Sequence, residues 1–448
     1  MNFPKDFVWG VSTASFQIEG GSETADRGLS LWDTFCETPG KVFGGHDARI
    51  ATDHYHRLEE DIDLISKLGV GAYRFSVSWP RVFPDGIGKV SSKGLDFYDR
   101  LIESLLERGI EPYLTVFHWD LPYALHERGG WLNPDISDWM ESYSTILADT
   151  FSDRVSNWIT LNEPQCFINE GYRTGQHAPG LTLSARELAL AVHNSLLAHG
   201  KIARVIRSNA HTSPRITFAQ STPLSSIPLE AKDIRAARDR QFSLPDEFAS
   251  SGIIYSDPIY KGHYPEEYLN RFAHILPRIG PADMKVICQP LDYFGINLYQ
   301  GDFISEGTDG NPVIHTREPG YAKTAFGWPI SPECMYWANR FCYERYGLPI
   351  LITENGMSGN DWIHSDGRIH DRDRVDFLYR YLSSMHKAIE DGVDIRGYFH
   401  WSLLDNFEWA RGYSERFGLV YVDYLNRNRT TKDSFDFYKS IVTENALL

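Results

Sequence analysis

Eight runs of apolar, β-branched and aromatic residues recur along the chain, each giving way to a polar turn and then an amphipathic stretch. The runs are FVWGVSTASF (7–16), GAYRFSVSW (71–79), PYLTVFHW (112–119), NWITLN (157–162), RITFAQS (215–221), DYFGINLY (292–299), PILIT (349–353) and IRGYFHWSL (395–403). PILIT is apolar at successive positions, the mark of a strand covered on both faces in a parallel sheet. Helical patterns lie between the runs. In 371–391, Val375, Leu378, Leu382, Met385 and Ile389 recur at steps of three and four behind a candidate cap at Asp371. In 184–208, Ser184 and Glu187 have the spacing of a capping box ahead of Leu188, Val192, Leu196 and Ile202. Strands alternating with helices in this way predict a (β/α)8 TIM barrel with extended βα loops, spanning 1–448 as one domain. An open doubly wound sheet is the competing arrangement, but no glycine-rich phosphate loop follows any of the strands.

The charge balance narrows the partners. The 448 residues carry a net charge of −16, which argues against nucleic acid or an anionic membrane surface. MNFPKDFVWG has no basic region leading into a long apolar run, and no stretch is apolar enough to span a bilayer. Neither a signal peptide nor a membrane helix is therefore expected. The five cysteines (Cys36, Cys166, Cys288, Cys334, Cys342) are scattered and form no C-x-x-C, as suits reduced thiols, and the expected location is cytoplasmic. TDHYHRLEED (52–61) gathers Asp53, His54, His56, Glu59, Glu60 and Asp61, yet its spacing matches no zinc motif. It leads straight into a helix ending near Leu68-Gly69, so capping and helix-surface charge explain it. DRDR (371–374) is likewise expected to be a solvated first helical turn. No metal or cofactor is expected.

Polar residues collect where the strands end, which in such a barrel is where function sits. The fourth run ends in Asn162-Glu163-Pro164 and the seventh in Glu354-Asn355-Gly356, with Asn355-Gly356 as turn chemistry. The third ends in His118-Trp119-Asp120, the sixth in Asn297-Leu298-Tyr299 and the eighth in Trp401-Ser402, while the first leads to Gln17 and the second carries Arg74. Strands four and seven face each other across the mouth. Two opposed carboxyls there suit glycoside hydrolysis, one donating a proton to the leaving oxygen and the other attacking the anomeric carbon or activating water. One glutamate after a strand is ordinarily a cap or a surface residue. Two at separate strand ends, among amides, imidazole and indole, outweigh that explanation. The high aromatic content, 14%, adds flat apolar faces on which a sugar can pack.

At these residues the sequence resembles glycoside hydrolase family 1, the β-glucosidase family. FVWGVSTASFQIEG, YRFSVSW, FHWDLP, LNEP followed by GYRTGQHAPG, NLY, ITENG and HWSLLDNFEWARGY occur in family order along nearly the whole chain. The resemblance implies a retaining β-glucosidase, with Glu163 as general acid/base and Glu354 as nucleophile, their carboxyls about 5–5.5 Å apart. It implies a sugar pocket of Gln17, His118, Asn162, Tyr299, Glu408 and Trp409, with Trp401 as its stacking floor. Arg74 and Tyr299 are implied to hold the nucleophile ionised, Asn297 and Trp119 to support the rim, and Trp328 to line the leaving-group side.

Single residues separate branches of the family. Members acting on 6-phosphosugars lack the glutamate of the F-E-W motif, whereas Glu408 is present here; thioglucosidases replace the acid/base, whereas Glu163 is present. Both features favour an O-glycosidase for unphosphorylated glucosides, with fucosides and galactosides also accepted. Gln165 departs from the aromatic or aliphatic residue frequent after LNEP, at a position expected to border the leaving-group side. Three alternatives remain open: an enzyme that mainly transfers the glycosyl group, a non-catalytic sugar-binding barrel, and a metal-dependent hydrolase. The partner expected in the leading case is a small β-glycoside or short oligosaccharide.

Overall fold

A computed structural model describes residues 1–24, 27–222 and 224–447 of the chain. Eight parallel strands close into a barrel: β1 (Val8–Ser12), β2 (Ala72–Ser76), β3 (Glu111–Phe117), β4 (Asn157–Asn162), β5 (Arg215–Ser221), β6 (Phe294–Asn297), β7 (Ile350–Asn355) and β8 (Ile395–Trp401). Each strand pairs with its neighbours in sequence, and β1 closes the ring on β8. The eight apolar runs are the eight barrel strands. The first run proves too long, because β1 stops at Ser12 and Ser15–Ile18 forms a helical turn.

Seven helices of eleven or more residues cover the barrel: α1 (Leu58–Leu68), α2 (Ser92–Glu107), α3 (Ile136–Phe151), α4 (Ala185–Asn209), α5 (Cys334–Tyr346), α6 (Arg372–Glu390) and α7 (Asp433–Glu444). After β5 the covering is made of shorter pieces, Ile253–Lys261 and Pro281–Ile287 among them. The capping box of α4 forms as spaced, with Ser184 and Glu187 each bonding the other's backbone. Its Leu188, Val192, Leu196 and Ile202 are buried against the barrel. Gly200 lets a neighbouring backbone come close: a Cβ there would lie 1.9 Å from the carbonyl oxygen of Val286.

Inside the barrel, Ala72, Tyr113, Ile159, Ala219, Leu351 and Phe399 form a packed apolar layer. Two residues further along their strands lie Arg74, Thr115 and Thr353, so the interior turns polar towards the C-terminal ends of the strands.

Two charged segments are more deeply buried than their sequence suggests. DRDR is only half solvated. Arg372 and Asp373 are exposed, but Asp371 and Arg374 are buried. Asp371 occupies the N-cap position of α6 without a side-chain cap; its carboxylate instead accepts from the Ser434 N–H and pairs with Arg374. Arg374 also reaches Asp361 at 2.8 Å, Lys432 joins Asp361 to Asp405, and Arg416 binds Asp405 at 2.7 Å. In TDHYHRLEED, Glu59 and Glu60 do lie on the surface, whereas Asp61 is fully buried between His54 and Arg429, each at 2.8 Å. In both cases the C-terminal segment 429–434 folds back over the barrel and supplies partners that no local pattern predicts, Arg429 to Asp61 and the Ser434 N–H to Asp371.

Lys432 should be the most sensitive member of this network. Lys432→Ala leaves Asp405 and Asp361 buried with one cation fewer, and is expected to cost about 3–5 kcal/mol. Urea unfolding measures it, and a loss below about 1 kcal/mol would show that the cluster relaxes without its lysine.

Candidate active site

Strand alternation alone would not bring Asn162 and Glu354 into the barrel mouth. On β7, Ile350 and Ile352 pack outward in the main core while Leu351 faces the barrel interior, so Glu354 should face the helices. The pairing with β6 corrects this: Ile352 pairs with Ile296 and Glu354 with Asn297, so β7 holds one extra residue, Thr353. Thr353 and Glu354 therefore both turn inward. On β4, Ile159 pairs with Thr217 and Asn162 with Ala219, again one residue too many. Asn162 turns inward as a result, although Thr160 faces His199 of α4. Glu163 follows in a left-handed conformation, φ 46°, rare for a residue with a side chain. Trp119 (φ 76°) and Trp409 (φ 49°) share that strain, which concentrates at functional sites.

The anticipated turn at Asn355-Gly356 does not start there. Asn355 is still in β7 and buried, bonded to the Leu298 carbonyl and to the Tyr398 hydroxyl. Gly356 matters for space, since a Cβ would lie 1.8 Å from the carbonyl oxygen of Trp401.

Arg74 lies at the centre of the polar layer. Its guanidinium donates to Glu354 Oε1 and Asn162 Oδ1, both at 2.7 Å, to the Thr353 carbonyl at 2.8 Å, and to Thr115 at 3.2 Å. Tyr299 donates to the other Glu354 oxygen at 2.7 Å. Asn297 Nδ2 reaches Glu163 Oε1 at 2.9 Å and Asn162 at 3.0 Å, and Thr353 fixes its carbonyl at 2.6 Å. Glu163 thus receives only neutral donors, Asn297 and the Cys166 thiol, where Glu354 receives a cation and a phenol. Burial raises the Glu354 carboxyl, with Arg74 first among the groups opposing the rise. Burial, and then the charge of Glu354, push Glu163 up to about 7. The single proton the pair carries near neutral pH belongs on Glu163.

The remaining predicted residues gather around these two. His118 faces the Asn162 amide at 3.0 Å; burial and Arg74 hold its imidazole well below the usual range, and its Nδ1 has no partner among the described residues. Trp119 donates to the Asn162 carbonyl at 2.8 Å and packs on Trp409. Trp401 stacks beside His118. Glu408 accepts from Gln17 at 3.2 Å, and burial with the charges of Glu415 and Glu354 raises it to about 8. Gln17 itself stands behind Glu408 and does not line the cavity. Trp328 packs against Tyr299 and Phe326.

Apart from Gln17 and Arg74, the predicted site residues line one cavity of about 810 Å³. Gln165 does not. It is buried outside the cavity, its amide nitrogen and oxygen both unpartnered among the described residues, and the following residue, Cys166, faces the cavity instead. The short helix begun by Glu163 and Pro164 rotates Gln165 away, so its expected role beside the leaving group fails. Sequence reasoning also missed Lys41, Phe326, Arg411 and Phe417, which come from loops without a strand-end signal. Phe326, two residues before Trp328, and Arg411, two residues after Trp409 in the HWSLLDNFEWARGY stretch, had a nearby signal. Among the described residues no group of three or more metal-ligating side chains occurs.

Comparison with known proteins agrees with this geometry. The model of glycosyl hydrolase family 1 matches residues 1–447. Beta-glucosidase A of Thermotoga maritima is 44% identical, over 99% of this chain and 98% of its own. A bifunctional beta-D-glucosidase/beta-D-fucosidase of Bifidobacterium breve is 38% identical, over 100% and 99%. The solved structure of the Thermotoga maritima beta-glucosidase in complex with glucoimidazole superposes with a TM-score of 0.91 at 44% identity, covering 100% of both chains.

Glu163 also links stability to pH. Its carboxyl, at about 7 when folded and about 4.3 when unfolded, favours the folded state at low pH. That contribution is lost between about 4.3 and about 7, where the unfolded chain has given up a proton the native state still holds, and the loss is complete once pH has risen through about 7. Glu163→Gln removes the dependence. The variant should gain roughly 2 kcal/mol over the parent at pH 8 relative to pH 5. Urea unfolding at the two pH values checks it; an equal difference at both would refute the raised carboxyl.

Proposed function

The chain belongs to glycosyl hydrolase family 1 and is a glycoside hydrolase; from that premise we propose that it is a retaining β-glucosidase working through Glu354 and Glu163. The asymmetry between the two carboxyls carries this reading. Glu354, bound by Arg74 and Tyr299, is the anion that attacks the anomeric carbon. Glu163 holds the proton that the departing oxygen needs. Attack forms a glycosyl ester on Glu354 and breaks the glycosidic bond, while the Glu163 proton passes to the leaving oxygen. Glu163, now ionised, takes a proton from the incoming water, which displaces Glu354 and releases the sugar. Arg74 and Tyr299 keep the nucleophile in place through both steps.

His118, Asn162, Glu408 and Trp409 line the sugar side of the cavity, with Trp401 beneath the ring and Gln17 orienting Glu408. The acidic Glu408 suits neutral hydroxyls and disfavours a 6-phosphate. Epimers at one hydroxyl meet the same wall, which supports some turnover of β-fucosides and β-galactosides; the Bifidobacterium breve relative is named for both glucosidase and fucosidase activities. Short β-linked oligosaccharides, cellobiose among them, fit the cavity beside aryl glucosides. Transfer of the glycosyl group to sugars or alcohols uses the same intermediate.

The deciding experiment is kcat/KM for aryl β-glucoside, β-fucoside, β-galactoside and 6-phospho-β-glucoside. Preference for the phosphosugar would overturn the role of Glu408. In the same assay kcat/KM for the glucoside should fall as pH rises through about 7, as Glu163 loses its proton. Glu163→Ala should depress alkyl glucosides by roughly 100-fold more than activated aryl glucosides, which leave without acid help; equal losses would refute its role as acid. Glu354→Ala should abolish turnover while sugar binding stays measurable by calorimetry.

A further inference from the structure

An aromatic wall leads outward from the nucleophile and ends on a cation. Tyr299, which holds Glu354, packs on Trp328 at 5.1 Å between ring centres, and Trp328 packs on Phe326 at 4.4 Å. The Arg411 guanidinium lies over the Phe326 ring, 4.9 Å from its centre. Arg411 is exposed and lines the cavity, and among the described residues no carboxylate and no hydrogen-bond acceptor engages its guanidinium. The other cation on the cavity wall, Lys41, donates only to the Gly175 carbonyl, at 3.1 Å.

This placement runs against the rest of the molecule. The chain has 60 acidic residues for 44 basic ones, and a guanidinium readily finds a carboxylate. The carboxyls on the cavity wall are engaged elsewhere: Glu163 by Asn297, Glu354 by Arg74, Glu408 by Gln17 and Glu170 by Asn169 and Thr174. A flat ring and an unpaired guanidinium side by side form a receptor for a planar group carrying an anion. The ring packs on Trp328, and the anion takes the two-pronged fork of the guanidinium that covers Phe326.

Building on the glycosidase reading, we propose that Arg411 is a specificity-determining residue that favours leaving groups with a planar ring and an anionic substituent such as a carboxylate. The rest of the leaving-group wall serves neutral and charged rings alike; Arg411 separates them.

The test compares two glucosides of nearly equal shape, 4-carboxyphenyl and 4-carbamoylphenyl β-D-glucoside, in the parent and in R411Q and R411K. The readout is the ratio of their kcat/KM values, in which intrinsic leaving ability cancels between enzymes. R411Q should lower the carboxylate-to-amide ratio roughly fivefold, the size of one partly solvated ion pair. R411K, keeping charge but not the fork, should restore part of it, and added salt should shrink the parent's ratio. An unchanged ratio in R411Q overturns the proposal, and so does an equal fall on both substrates, which would make Arg411 part of the wall only. If the parent cleaves neither glucoside, the glucosidase reading fails instead. Calorimetric binding of the same two glucosides to parent and R411Q then decides on Arg411 by the same ratio.

Discussion

A guanidinium buried inside the barrel sets the terms for everything above it. Arg74 is almost wholly removed from water, and a charge so placed persists only if its donors are met. They are met from three other strands: Thr115 on β3, Asn162 on β4, and Thr353 and Glu354 on β7, with Arg74 itself on β2. The same contacts that neutralise the arginine therefore fix Glu354 and the asparagine beside Glu163. Stability and positioning coincide at this one side chain, so neither can drift without the other.

The difference between the two glutamates follows from that arrangement. Both are buried, and burial alone would raise both. Arg74 is within direct reach of only one of them. The negative charge it favours on Glu354 then acts on Glu163 and helps keep that group protonated. Asn297, held by Thr353, stands against Glu163 as a neutral donor and leaves the ordering intact. The two carboxyls are thus distinguished by one cation and by the distance each keeps from it. The left-handed backbone at Glu163, Trp119 and Trp409 shows that the surrounding fold tolerates strain of order 1–3 kcal/mol per residue to hold this geometry.

Outside the barrel the sugar-side loop depends on a second buried network. Asp405, immediately before the Asn406–Trp409 stretch, is held by Lys432, Arg416 and the Gly418 N–H. Lys432 comes from the segment leading into α7, near the end of the chain. The pocket wall around Glu408 is consequently anchored by residues from the C-terminal return, and the charged runs near 52–61 and 371–374 are drawn inside for the same reason. Local charge patterning reads such runs as solvated because it cannot see a distant partner arriving, Arg429 for Asp61 and Ser434 for Asp371.

The sequence by itself determined the eight strands, their order and the residue types at their ends. Each strand is a run rich in apolar, β-branched and aromatic residues, and such runs alternating with amphipathic helices are the pattern of a parallel barrel. Motif order identified the family and pointed to Glu163, Glu354 and most of the pocket. Three things were left to the tertiary structure. The extra residues in β4 and β7 reverse the alternation that would have turned Asn162 and Glu354 outward, and such a bulge is defined only by the register of a neighbouring strand. The short helix after Glu163 exchanges Gln165 for Cys166 at the cavity wall. The loops bring Phe326 and Arg411 together from positions 85 residues apart, next to Trp328 and away from any carboxylate. Residue type and local period are written along the chain, whereas inward direction and partnership depend on which segments the closed barrel makes neighbours.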